Sequence, residues 1–205
     1  MKLYHYWRSS SSWRVRWALE LKCLKPKYIH INLLDEENEK ANHIARHPLG
    51  YVPVLEIDGK YLIESVAILE WLEESYPEPK LYPGHPFEKA QIRALVELIN
   101  ADTQPIQNLN VVEYYTEDPL KRKTWNQYFI RRGLQAYQVL ATKTAQTFSI
   151  GNDLTAADLF LIPQCYNALR NEIDLNEFPL LKKIYEAALK ISSCDASSPE
   201  KYKPR

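Results

Sequence analysis

Between positions 76 and 86 the chain carries Pro77, Pro79, Pro83 and Pro86 together with Gly84. Ring-locked residues without an N–H, set so close together, can neither continue a helix nor fill a central strand. This span divides the 205 residues into two stretches whose apolar residues recur with different periods.

Before the break the pattern switches repeatedly. Residues 2–6 are short and aromatic, as in a strand. Trp13, Trp17 and Leu21 then recur at i, i+4 and i+8, one face of a helix. Residues 27–33 alternate as a second strand. The polar stretch 35–47, holding Ile44 and Ala45, reads as a short exposed helix that ends at Pro48, Leu49 and Gly50. Apolar runs at 51–57 and 60–63 flank Asp58-Gly59, a strong hairpin signal. Ser65 is placed to cap a helix whose positions 65, 68, 69, 72 and 76 share one face. The order β-α-β-α-β-β-α matches an α/β thioredoxin-like domain over residues 1–82, with helices on both faces of a mixed sheet.

After the break everything reads as helix, giving an all-α bundle over residues 83–205. Pro86 suits a first helical turn. Ile92, Leu95, Val96 and Ile99 fall on one face, and Pro105 is expected to kink a long helix. Residues 119–140 form another helix. Thr155 and Asp158 have capping-box spacing, and Pro163 conflicts with the helix that follows. A last helix begins at Phe178-Pro179 and reaches about Ser192. The tail from Asp195 is expected to be loosely held.

Composition excludes several functions. Lys plus Arg and Asp plus Glu each number 26, so no global field draws the chain to nucleic acid or an anionic membrane. No apolar run approaches a membrane span, and a strand pattern begins at once, without a secretory leader. Three widely spaced cysteines (Cys23, Cys165, Cys194) argue against a disulfide framework and for the cytoplasm. The five histidines show no metal-ligand spacing, so no metal is expected. P-loop, dinucleotide, HExxH and CxxC motifs are absent.

The residues with chemistry to offer sit at the first strand-to-helix turn, where residues 8–16 read Arg-Ser-Ser-Ser-Ser-Trp-Arg-Val-Arg. Serine hydroxyls there cap a helix start. The same hydroxyls, at the positive end of the helix dipole, can also donate to an anion such as a thiolate. Glu64 suits an ammonium group, and Ser65 at a helix start suits a carboxylate.

Residues 8–16 closely resemble the signature of the zeta class of glutathione transferases, in which a cysteine stands at the third position after Arg8. Residues 104–109 (Gln-Pro-Ile-Gln-Asn-Leu) match a second run of that class. Pro163-Gln164, Asn167-Ala168, Arg170 and Asp174-Leu175 match a third. The similarity extends from Leu3 to about Pro199. It implies glutathione as cofactor and a helical domain that binds substrate. By resemblance, Ser9 hydrogen-bonds the glutathione sulfur, with Ser10 and Ser11 beside it. Val52 and a cis Pro53 pair with the cysteinyl backbone like an added strand, and Glu64 and Ser65 hold the γ-glutamyl end. Gln104, Asn108 and Arg170 reach in from the helical domain, Arg170 as the catalytic partner of a substrate carboxylate.

The activity so implied is glutathione-dependent cis–trans isomerisation of maleylacetoacetate in tyrosine and phenylalanine catabolism, by a C2 homodimer. Isomerisation of maleylpyruvate, conjugation of electrophiles or halogenated acids, and a non-catalytic binding role are the alternatives. Ser11 in place of cysteine, and Glu64 and Tyr51 where the class often has glutamine, leave the substrate open. Arg14 is either a source of positive potential or a solvent-facing charge.

Overall fold

The computed structural model describes residues 1–204 and divides into two compact units. The first comprises Met1–Lys80 and Ser192–Arg205, the second Leu81–Ile191.

In the first unit the elements run β1 (Lys2–His5), α1 (Ser10–Leu21), β2 (Lys27–His30), α2 (Ala41–Ile44), β3 (Val54–Ile57), β4 (Lys60–Ile63) and α3 (Ser65–Ser75). This is the expected βαβαββα order. The strands form one sheet in the order β2-β1-β3-β4. β1 and β2 are parallel, because α1 carries the chain back between them. β3 runs antiparallel to both β1 and β4. Asp58 (φ 50°) and Gly59 (φ 79°) supply the two positive φ values that a tight β3–β4 hairpin requires.

Polar stretch 35–47 differs from expectation. It holds a 3-10 turn at Glu37–Glu39 and only a four-residue α2, and it is not wholly exposed, since His43 and His47 are buried. Their imidazoles find partners within the fold, so their polarity is no guide to exposure. Lys22 closes α3 from behind: its ammonium donates to the carbonyls of Tyr76 (2.6 Å) and Pro79 (3.0 Å) and to Glu73 (3.2 Å).

The second unit holds α4 (Pro86–Asn100), α5 (Leu109–Tyr115), α6 (Pro119–Ala141), α7 (Ala156–Arg170) and α8 (Pro179–Ala188). Pro86 is the first residue of α4, as expected. Pro105 does not kink a continuous helix. The helix ends at Asn100, and Pro105 opens a separate 3-10 turn, Pro105–Gln107. Lacking an N–H, proline is tolerated at such a start and not in a helix interior. Thr155 and Asp158 do form a capping box: the Thr155 N–H donates to the Asp158 carboxylate at 2.9 Å. Pro163 lies inside α7, whose residues 156–165 are all buried, so packing outweighs the local conflict.

The C-terminal stretch overturns an expectation. The expected helical domain runs to residue 205 with a loose tail from Asp195, but Ser192–Arg205 group with the first unit. They form α9 (Ser192–Ser197) and α10 (Pro199–Tyr202), and α9 packs on α1. Cys194 and Ser197 are fully buried. The cause is α1 itself, whose residues 12–19 are all buried and which must therefore be covered on every side.

Candidate active site

Strand register alone gathers three of the predicted segments. Tyr4 pairs with Val54, and Val54 pairs with Ile63. The C-terminal end of β1, the N-terminal end of β3 and the C-terminal end of β4 therefore lie side by side at one end of the sheet. The serine turn follows β1, Val52-Pro53 precede β3, and Glu64-Ser65 follow β4.

At the serine turn Ser9 is the N-cap of α1, with extended backbone (φ −67°, ψ 124°). Its Oγ accepts the Ser12 N–H at 3.2 Å, and its own N–H donates to the Tyr6 carbonyl at 3.1 Å. Ser12 is buried and its Oγ accepts the Tyr6 N–H at 3.4 Å, which tightens the turn from the other side. Capping uses a lone pair of Ser9 and leaves the hydroxyl proton to donate elsewhere. Ser10 and Ser11 form the start of α1 and are half-buried. No acidic side chain stands in that first turn, so nothing offsets the positive end of the dipole.

The Val52–Pro53 peptide is cis, as expected. Two buried histidines shape the loop before it. His43 Nε2 donates to the Tyr51 carbonyl at 2.9 Å. His47 Nδ1 accepts the Leu49 N–H at 3.3 Å, so the proton of its neutral ring lies on Nε2, 3.9 Å from Glu64 Oε1. Burial lowers the His47 pKa, against the opposing pull of the Glu64 carboxylate.

Ser65 does not have the capping position the sequence suggested. Ser65 is the first helical residue of α3, and the cap position belongs to Glu64, which makes no capping bond from its side chain. Glu64 has φ 67°, a conformation that disfavours a side-chain-bearing residue, and its side chain is 64% exposed. Such strain persists where a site needs it. Capping therefore does not explain Ser65. Its Oγ accepts from Arg14 Nη1 at 3.2 Å, and both residues are buried. Arg14 thus points into the unit and not to solvent.

On the helical unit, Gln104 Nε2 donates to Asn108 Oδ1 at 2.6 Å, which fixes these two amides to each other across the 3-10 turn. Gln107 Nε2 donates to the buried Gln164 Oε1 at 2.7 Å. Arg170 ends α7 on the surface, its Nη1 3.4 Å from Asn167 Oδ1. Among the described residues no group of His, Cys, Asp or Glu is arranged to hold a metal, and no helix is long and apolar enough to cross a membrane.

Sequence reasoning missed Ser12 and His47 and left Arg14 open. For Arg14 a signal existed: it lies between Trp13 and Val15 in a helix with aromatic or aliphatic residues on every face.

Residues 3–80 match the family model for the glutathione S-transferase N-terminal domain. The maleylacetoacetate isomerase of Rhizobium meliloti (strain 1021) is 39% identical over 207 residues, covering 98% of this chain and 97% of that protein. The crystal structure of maleylacetoacetate isomerase from Anaeromyxobacter dehalogenans 2CP-1, with glutathione bound in its active site, is 44% identical, with a TM-score of 0.90 over 99% of this chain and 96% of that one. A holo structure of a maleylpyruvate isomerase, a bacterial zeta-class glutathione transferase, is 35% identical, with a TM-score of 0.94 over 97% of both chains.

Proposed function

The chain belongs to the zeta class of the glutathione S-transferase family, and from that membership we propose that it isomerises maleylacetoacetate to fumarylacetoacetate with glutathione as its cofactor. A carbon–carbon double bond does not rotate at useful rates. Addition of the glutathione thiolate to the alkene carbon conjugated with the substrate carbonyl moves the π pair onto oxygen as an enolate and leaves a single bond. Rotation follows, the carbonyl re-forms, and the carbon–sulfur bond breaks to give the trans alkene and the same thiolate.

The protein's task is to supply the thiolate and to hold the developing charge. A free thiol has a pKa of about 8.5, so about 3% is ionised at pH 7. Lowering the pKa by about 2 units needs about 2.7 kcal/mol of preference for the anion. The observation that carries the reading is Ser9: its lone pair caps α1 while its proton stays available at the positive end of that helix. That donor and the helix start can supply the preference, with Ser10 and Ser11 lining the same turn. Val52 and Pro53 receive the cysteinyl backbone, Glu64 the ammonium group and Ser65 the carboxylate of the γ-glutamyl end. Gln104 and Asn108 complete the cofactor's contacts. Arg170 grips a substrate carboxylate and steadies the enolate.

Maleylpyruvate is the second reading, since a maleylpyruvate isomerase of 35% identity shares the fold over 97% of this chain. Assembly as a C2 homodimer is proposed on the frequency of that symmetry, and a cytoplasmic setting on the three free thiols. The test is isomerisation of maleylacetoacetate and maleylpyruvate side by side, with and without glutathione. A faster, glutathione-dependent turnover of maleylacetoacetate is expected. Turnover that ignores glutathione rejects the proposal, and preference for maleylpyruvate replaces the substrate.

A further inference from the structure

The Arg14–Ser65 contact does more than join two helices. Arg14 is fully buried and Ser65 is 4% exposed, so the bond of 3.2 Å between them is shielded from water. A guanidinium has donors and no acceptor, and it keeps its proton in proteins. The bond therefore has one direction only: Arg14 donates and the Ser65 oxygen accepts. A hydroxyl that accepts from a cation turns its own proton away from that cation, and the adjacent positive charge makes that proton a better donor.

We infer that Arg14 is a positioning residue for glutathione: by occupying the Ser65 oxygen from behind, it aims the Ser65 proton at the α-carboxylate of the γ-glutamyl group. The inference rests on the reading that this group binds at Glu64 and Ser65. Two features make the aim consequential. Glu64, with φ 67°, turns the chain so that α3 starts at Ser65, and the anion meets that hydroxyl together with the helix's first N–H groups. Arg14 is also four residues after Ser10, one turn into α1. It therefore ties the thiol-binding start of α1 to the carboxylate-binding start of α3 through one charge-assisted hydrogen bond. Lysine carries its charge as a strongly hydrated ammonium on a flexible stem, so it is not an equivalent at this buried position.

The experiment compares glutathione with 4-aminobutyryl-cysteinylglycine, which keeps the amine, thiol and glycine and lacks only the α-carboxylate. Dissociation constants are measured by isothermal titration, or by competition against glutathione where binding is weak. The wild-type protein is expected to prefer glutathione by about tenfold or more, the loss expected when one charged hydrogen bond goes. Arg14→Met is expected to weaken glutathione binding by a similar factor while leaving the analogue within about threefold. Ser65→Ala should do the same, and the double variant should be no worse than Ser65→Ala alone. Arg14→Lys, which keeps a buried cation, serves where Arg14→Met does not fold and is expected to lose discrimination in part. Equal losses for both ligands, additive effects in the double variant, or full discrimination in Arg14→Lys overturn the inference. A wild-type protein that binds no glutathione overturns instead the functional reading beneath it.

Discussion

Trp13 Nε1 donates to Ser197 Oγ at 3.1 Å across 184 positions of sequence, and both residues are buried. One turn further along α1, Trp17 Nε1 donates to Ser193 Oγ at 3.0 Å. The indoles that mark α1 in the sequence are thus covered by the last residues of the chain. Arg16 adds to the seam by donating to the carbonyls of Ser197 (3.0 Å), Tyr6 (3.3 Å) and Trp7 (3.0 Å). The C-terminal segment therefore helps to hold the turn that carries Ser9.

Ser197→Ala leaves the Trp13 indole N–H buried without its acceptor. A loss of about 1–3 kcal/mol is expected, read by urea unfolding followed through tryptophan emission. A midpoint equal to wild type would show that the Trp13–Ser197 bond contributes nothing to the stability of the first unit.

Two substitutions at Ser9 separate its two duties. Ser9→Ala removes both cap and donor, so stability is expected to fall by about 1 kcal/mol and kcat/KM by at least about tenfold. Ser9→Asp keeps a good cap but sets a carboxylate where the thiolate must lie. Its stability is expected to stay within about 1 kcal/mol of wild type, while the ultraviolet thiolate band of bound glutathione disappears at neutral pH. Persistence of that band would remove Ser9 from the mechanism.

Arg170→Lys keeps the charge and loses the two-pronged geometry. Activity toward the diacid, as kcat/KM, is expected to drop by about tenfold or more, with the KM for glutathione held within about twofold. A matching change in both would mean that Arg170 serves the cofactor or the fold and not the substrate.

Stability is expected to fall with acidification below neutrality. His5 is buried, its Nδ1 lies 3.2 Å from Arg16 Nη1, and burial, then the Arg16 charge, push its pKa from 6.5 down to about 3. His30 and His47 are shifted the same way, mainly by burial. In the unfolded chain these rings take up protons near pH 6.5 while the folded chain refuses them, so U binds more protons than N. Stability therefore rises with pH across this window and is lost as pH falls from 6.5 toward 3. Each ring contributes at most about 1.4 kcal/mol per pH unit. His5→Gln, which keeps an acceptor for Arg16, is expected to flatten the slope of unfolding free energy between pH 7 and 5. An unchanged slope would place the titration elsewhere.

The sequence by itself determined the order of elements in the first unit, the hairpin at Asp58-Gly59, the helix start at Pro86 and the capping box at Thr155. Each rests on local chemistry: a required φ, a missing N–H, or a side chain within reach of its own backbone. It also placed a serine cap at the start of α1, and the structure gives that position to Ser9. Only the tertiary structure decided what lies far apart in sequence. Ser65 looked like a cap, but the oxygen meant for capping is taken by Arg14 from another helix. Arg14 looked capable of facing water, but it is buried and donates to Ser65 at the start of α3. The tail from Asp195 looked loose because it is polar and contains proline, yet its Ser197 hydroxyl is what the buried Trp13 indole needs. Polar side chains reveal local capping from spacing alone. Their long-range partners appear only when the chain has folded back, because a hydrogen bond is satisfied by position in space and not by distance along the sequence.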